Sequence, residues 1–496
     1  EQVIALTPDL RQHAWLLSWL AISLGAYGFA MGRFEGGGEN STVVLFWLVG
    51  IIAFLVGQWQ PGRSRFVWRL APAERIYLIM LAGLLLIALV MRTYRLTTLP
   101  YDLDGDFASH GLQARALATG VEPHLFKLGW ANIPMLGFAP SALTMKVFGT
   151  GLVGLNAAGI LEGLLIIVAV YLLGRDLFNR RAGLIAAAFV TINYTHLHFS
   201  RTSEYIDPVF FLVYAVYFML WGLRHGSAWA FALSGVLSAF GFQMYYSGRI
   251  LFFVMGTAWF YLLLGHRTWL RARWQGLILW GLGFFIALGP SLIVFLRDVE
   301  GFLERSRSVF LFYPPVLEHL YNKYNVETVA EVMWEQAKRT LLAFHYYYDT
   351  STQFGFLHPI LGPFSAPFLA LGMGYSLRHL RRFGHFLVLT WVVLILLIGC
   401  FLTNNAPFWP RLVGIVPPAM LLAAVALDRL YEPLERLLTS WAGRPAKALL
   451  ALLLLAYLAY AGWFNWNWYV EAKGTWATTR THIARYLQAS APAARA

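Results

Sequence analysis

Long apolar runs recur along this chain from its first residues to about position 464, and they constrain the fold more than any other feature. A segment that crosses about 30 Å of hydrocarbon at 1.5 Å per residue must hold some 20 mostly apolar residues and satisfy its own backbone, so each such run is expected to be a helix. About thirteen are legible, at residues 13–31, 43–59, 75–91, 152–173, 182–197, 208–223, 228–245, 250–264, 276–296, 357–375, 386–402, 412–427 and 448–464. The fold class expected is all-α, a polytopic integral membrane protein with amphipathic helices in its outer connections. Charged residues make up 13% of the 496, against about 25% in soluble domains, which excludes an ordinary water-soluble enzyme.

The excess of 38 Lys and Arg over 25 Asp and Glu does not imply a nucleic-acid partner, because no basic stripe with interleaved aromatics stands apart from the apolar runs. The arginines fall instead in alternate connections: Arg63, Arg65, Arg69 and Arg75; Arg175, Arg180 and Arg181; Arg224; Arg267, Arg271 and Arg273; Arg378, Arg381 and Arg382; Arg429, Arg436 and Arg444 with Lys447. The positive-inside rule puts all of these on the cytoplasmic side, next to anionic membrane lipid, of a multi-pass protein of the plasma (cytoplasmic, inner) membrane. The N-terminus is then cytoplasmic, and the first run is expected to be an uncleaved anchor. A lone cysteine, Cys400, excludes an internal disulfide and a cysteine-based metal centre. The cytoplasmic connections are too short for a nucleotide-driven module, so chemistry is expected on the outer face, where residues 92–151 and 297–356 form the long connections.

Three acids, Asp102, Asp104 and Asp106, crowd just beyond the third run, and the helical period of residues 108–118 places Asp106 at or near a helix N-terminus. Such a carboxylate can cap or complement the helix dipole, or serve as a general base at the membrane surface. Glu204 and Asp207, three apart at the outer junction of two runs, are expected to face one cavity, with Arg201 beside them. Arg249 and Arg411 stand alone at the outer ends of apolar runs, and a guanidinium fork matches phosphate oxygens. Residues 326–342 read as an amphipathic helix lying on the membrane or forming a lid, followed by the aromatic-polar group His345, Tyr346, Tyr347, Tyr348 and Asp349.

Residues 92–120 (RTYRLTTLPYDLDGDFASHGLQARALATG) resemble the first outer loop of GT-C glycosyltransferases of the dolichyl-phosphate-mannose protein mannosyltransferase type, glycosyltransferase family 39 and its bacterial relatives. Residues 171–181 (YLLGRDLFNRR), 196–201 (HLHFSR), 245–250 (YYSGRI), 302–312 (FLERSRSVFLF) and 410–428 (PRLVGIVPPAMLLAAVALD) look like the same family in the same order, over roughly 92–430. The resemblance implies an inverting transferase that moves a sugar from a polyprenyl-phosphate donor to a lipid, glycan or protein acceptor. It implies Asp106 as general base, or as the group that orients the acceptor, with Asp104 upstream of it. Arg249 and Arg411 would sit near the donor phosphate, with Arg201 grouped beside them, and Asp207 and Glu204 would orient substrate or a metal. No cofactor is required by that scheme, although carboxylates at Asp104, Asp106 and Asp207 would suit Mg or Mn.

Phe107 stands where the family usually carries Glu. Asp104 would then supply the second carboxylate; the alternative is a non-catalytic scaffold subunit of a membrane complex. A flippase reading is weakened by the lack of paired repeats. Residues 1–91 are expected as N-terminal spans, 92–430 as the catalytic module, and 431–496 as a last span with a Trp-rich tail; the first and last of these are candidate docking sites for a partner membrane subunit.

Overall fold

A computed structural model describes residues 2–59, 72–100, 103–265, 267–351 and 353–474. Arg63, Arg65, Arg69 and Asp102 lie outside the described residues, as does the tail beyond 474. The described residues are helical, with two isolated β-bridges, Leu128 with Pro134 and Phe310 with Thr403. Among the described residues nine helices are long and apolar enough to cross a membrane, and a tenth crossing forms if the pair Arg273–Leu288 and Ser291–Arg297, bent by 76°, is one broken span. The chain is therefore an all-helical, multi-pass membrane protein.

This count corrects the expected thirteen by that criterion. The three remaining apolar runs form helices of 13, 17 and 13 residues, Arg180–Ile192, Ala228–Met244 and Ala366–Arg378. The run at 182–197 is divided because the Asn193 side chain accepts a hydrogen bond from His196 N and starts a new helix, Tyr194–Thr202. The bend after Leu288 sits at Gly289, whose φ of +50° and closeness to the Trp47 ring leave no room for a Cβ.

Packing divides the chain differently from the three consecutive segments expected. One compact unit combines Glu1–Arg75, Thr119–Ala139 and Asp207–Ser308. In it the helices Gln2–Gly37 and Ser41–Gln58 form a hairpin tied down by polar and aromatic contacts. Glu39 accepts hydrogen bonds from Leu125 N and Phe126 N, both at 2.7 Å. Trp47 packs edge-on to Phe126 at 5.1 Å between centroids and donates to Ala287 O at 3.2 Å. The first helices are thus part of this unit's core rather than an appendage.

The second unit combines Ile76–Ala118, Pro140–Ile206 and Val309–Ala496. Its central helix, Leu152–Leu177, carries Gly159 and Gly163, four apart, and a Cβ on either would lie 2.5–2.6 Å from Ser203 or Ser200. Small residues at this spacing let two backbones approach, as in membrane helix pairs. The amphipathic run is the helix Val329–Leu341, opened by a capping box between Thr328 and Glu331. Its Val332 is buried with Leu311 and with Val316 and Leu320 of the neighbouring Pro314–Tyr324 helix, while Trp334 is exposed.

Candidate functional site

The acidic loop runs into the helix Gly105–Thr119. Asp104 caps that helix, since its Oδ1 accepts from Phe107 N at 2.8 Å and its carbonyl from Ala108 N at 3.0 Å. Capping is therefore the work of Asp104, and Asp106 in the first turn is left for another use. Asp106 is half-buried, and its Oδ2 accepts a 3.0 Å hydrogen bond from the Tyr205 hydroxyl. Burial, then the charge of Asp106, raises the Asp104 carboxyl above its ordinary range, offset by the Phe107 and Asp106 N–H groups and by Lys473. Phe107 points into the core at 4% exposure, so no carboxylate could take its place without desolvation.

Tyr205 is aimed by an unusual link. Ser203 and Tyr205 both adopt left-handed backbone, with φ of 52° and 59°. The link is held because Gly159 N donates to Ser203 Oγ at 2.7 Å, an approach that only glycine permits there. Glu204 lies inside this non-helical link and Asp207 is the first residue of the next helix, Asp207–His225. The expectation that they face one cavity from a shared helical spacing is therefore corrected: the left-handed Tyr205 interrupts the helical period between them. Glu204 is 3% exposed, and among the described residues its Oε1 has no hydrogen-bond partner. Burial, followed by the charges of Asp104 and Asp106, holds its carboxyl well above the usual range.

Beyond Tyr205 an aromatic wall continues. The Tyr205 and Phe354 rings are 5.6 Å apart, Phe354 and Phe408 also 5.6 Å, and the Arg411 guanidinium lies 4.8 Å from the Phe408 ring centre. Two charged groups pin this wall. Lys473 Nζ donates to Gln353 O and Gly355 O, at 2.7 and 2.9 Å, on either side of Phe354. Asp349 accepts from Trp409 N and Ser351 N, both at 2.8 Å, and so fixes the turn that carries Arg411. The unit thus places Asp104, Asp106, Glu204 and Arg411 along one contiguous set of contacts. Tyr205, Phe354 and Lys473 were not singled out from sequence, because their roles depend on contacts with distant parts of the chain; Asp349 was read only within an aromatic group.

Two of the expected phosphate-binding arginines, Arg201 and Arg249, have internal partners. Arg201 is fully buried, and its terminal nitrogens donate to the carbonyls of Met91, Arg92, Tyr94 and Leu99 at 2.6 to 2.9 Å. It closes the end of the helix Pro72–Thr93 rather than presenting a fork to a ligand, and no ion pair joins it to Glu204 among the described residues. Arg249 belongs to the first unit, with Asp207. It donates to Ser306 Oγ at 3.0 Å and Phe302 O at 3.2 Å and stacks 3.9 Å from the Phe302 ring centre. Among the described residues no three His, Cys, Asp or Glu side chains gather as metal ligands.

Residues 132–293 match the family model described as dolichyl-phosphate-mannose-protein mannosyltransferase. Arg201, Glu204, Asp207 and Arg249 fall inside that stretch; Asp106 and Arg411 fall outside it. No curated protein sequence matches the chain. Among solved structures, the archaeal oligosaccharyltransferase AglB from Archaeoglobus fulgidus, in complex with an inhibitory peptide and a dolichol-phosphate, aligns with a TM-score of 0.53 at 16% identity. That alignment covers 81% of this chain, which spans 56% of the oligosaccharyltransferase. ArnT from Cupriavidus metallidurans bound to undecaprenyl phosphate aligns with a TM-score of 0.52 at 12% identity over 82% of this chain and 77% of its own. At such identity the likeness establishes a shared fold with these two proteins.

Proposed function

We propose that this chain, which carries the dolichyl-phosphate-mannose-protein mannosyltransferase match over residues 132–293, is an inverting membrane glycosyltransferase. It takes a sugar from a polyprenyl-phosphate donor and gives it to a hydroxyl or amine of a lipid, glycan or protein on the outer face of the membrane. The observation that carries this reading is the pairing of Asp106 with the Tyr205 hydroxyl at one end of an aromatic wall whose other end holds Arg411. The solved structures of the same fold that hold dolichol-phosphate and undecaprenyl phosphate support the choice of donor.

The acceptor oxygen attacks the sugar C1 from the face opposite the phosphate, and a new C1–O bond forms as the bond to the phosphate oxygen breaks. Asp106 takes the acceptor proton, with Tyr205 fixing which carboxylate oxygen faces the acceptor. The bonding electron pair leaves with the phosphate, and Arg411 stabilises the growing charge. Acid-base and electrostatic groups suffice, so no cofactor enters the scheme. The outer-face topology needs all three of the shorter apolar helices to cross as well, which restores thirteen crossings and puts the arginine-rich connections on the cytoplasmic side.

The test is transfer from a radiolabelled polyprenyl-phosphate sugar panel in nanodiscs, comparing the native chain with Asp106→Asn and Arg411→Ala. Loss of transfer in both correctly folded variants supports the assignment. Absence of transfer from every donor by the native chain, with stable co-purification of other membrane subunits, favours a scaffold instead.

A further inference from the structure

Three cations from three separate elements meet around the loop 403–405. Arg411 Nη1 donates to Asn404 O at 2.7 Å, and Lys323 Nζ donates to the neighbouring Asn405 Oδ1 at 2.9 Å. Arg339 stacks on Tyr324, 4.6 Å from the ring centre, and Lys323 Nζ lies 5.9 Å from the same ring centre. These positions are built. Gln336 Nε2 donates to Thr403 O at 2.6 Å and Gln336 Oε1 accepts from the Tyr324 hydroxyl at 3.1 Å, so the helices Pro314–Tyr324 and Val329–Leu341 are both tied to this loop. Leu311 N to Leu402 O and Asn404 N to Val309 O, both at 2.9 Å, fasten the other side.

Like charges gathered this way repel, and two acids near Lys323 and Arg339 are engaged elsewhere. Asp349 is buried with both oxygens engaged by backbone N–H groups. Glu335 lies 4.0 Å from Arg339 but 2.6 Å from Lys338, so Lys338 is its main partner. Burial and the charge of Arg339 lower the Lys323 amine below its ordinary range, with Asp349 opposing and Arg411 adding to the effect. An anion brought among the three would relieve that repulsion.

We propose that Lys323 and Arg339 join Arg411 in binding the phosphate of the polyprenyl-phosphate leaving group, and that the trio holds its dianionic form more tightly than the singly charged donor. The proposal rests on the transferase reading above and adds two residues and a charge preference to it. The donor is a phosphodiester with one negative charge. When its bond to C1 breaks, the electron pair stays on the phosphate oxygen, giving a monoester whose second ionisation lies near pH ~6. Three cations therefore interact more strongly with the late transition state and product than with the bound donor, and only such a difference accelerates the step.

The experiment uses the full chain in phosphatidylcholine nanodiscs with Lys323→Gln and Arg339→Gln, measuring transfer and inhibition by undecaprenyl phosphate. Each variant is expected to lose about tenfold in kcat/KM and to weaken undecaprenyl phosphate inhibition about tenfold, the size of one lost charged hydrogen bond, with a smaller rise in donor KM. Inhibition by undecaprenyl phosphate should weaken below about pH 6. Undecaprenol and inorganic phosphate should not compete; competition by inorganic phosphate as strong as by the lipid would overturn the assignment in favour of a general anion site. Lys323→Arg and Arg339→Lys should recover most of the loss, which separates charge from folding. Native kcat/KM and inhibition in both Gln variants would overturn the proposal while leaving the transferase reading intact. If the native chain transfers no sugar, direct binding of undecaprenyl phosphate decides: about tenfold weaker binding in the variants supports the trio, and equal binding sinks it.

Discussion

The Tyr205 hydroxyl donates a 3.0 Å hydrogen bond to Oδ2 of Asp106, joining a left-handed link to the first turn of the Gly105–Thr119 helix. A carboxylate held by one oxygen offers the other in a set direction, which is what a base facing an acceptor needs. Asp106→Asn is therefore expected to lower turnover by about 10²–10⁴, and Tyr205→Phe by about tenfold. Saturating-donor kinetics decide; native turnover in the Asn variant would remove Asp106 from the chemistry.

Asp104 is expected to act as a cap. Asp104→Ala should lower stability by about 1 kcal/mol, whereas Asp104→Asn, which keeps an acceptor for Phe107 N, should keep both stability and most of the turnover. Thermal unfolding beside activity separates the two; a stable but inactive Asn variant would show that the Asp104 charge is needed in the reaction.

Glu204 governs a pH effect on stability. Its folded-state pKa is raised by burial and by Asp104 and Asp106, so its contribution is fully present below the ordinary glutamate range and is lost as pH rises through the folded value. Glu204→Gln, which removes the ionisation, should therefore unfold at a higher temperature than the native chain near pH ~8, and the gap should close on acidification. A Gln variant less stable than native at the higher pH would contradict this.

Arg201 is expected to be structural. Arg201→Lys cannot reach the four carbonyls, and leaving buried carbonyls unpaired costs about 1–3 kcal/mol each. A large drop in unfolding temperature is expected, and salt should hardly change it because the acceptors are neutral and buried. Unchanged stability together with a raised donor KM would return Arg201 to the phosphate site.

Transfer is expected to survive EDTA at full rate, because the proposed scheme uses Asp106, Tyr205 and Arg411 alone. Loss on chelation with recovery on adding Mg or Mn would point to a metal held by the donor itself together with the acidic loop.

Much of the helical plan was legible because a membrane crossing leaves a mark in composition: ten of the thirteen apolar runs correspond to crossings by length and hydropathy, counting the bent pair as one. The helix after Asp106 and the amphipathic helix near 329 were legible for the same local reason, a period of apolar residues behind a cap. The break at Asn193 and the left-handed backbone at Ser203 and Tyr205 were not, since an apolar run does not show where a side chain will cap a new helix or where a close glycine will admit a bend.

The sequence by itself determined a helical membrane protein, the acid-rich loop after the third apolar run and the arginines at the ends of other runs, because hydropathy and charge act locally and add along the chain. Only the tertiary structure decided what those residues do. It turned Asp104 into a cap and Arg201 into a clamp on carbonyls, gave Asp106 the Tyr205 hydroxyl as a partner, and brought Lys323 and Arg339 to Arg411. Such roles depend on which donor meets which acceptor across 100 residues or so of chain, a matter settled by packing rather than by composition.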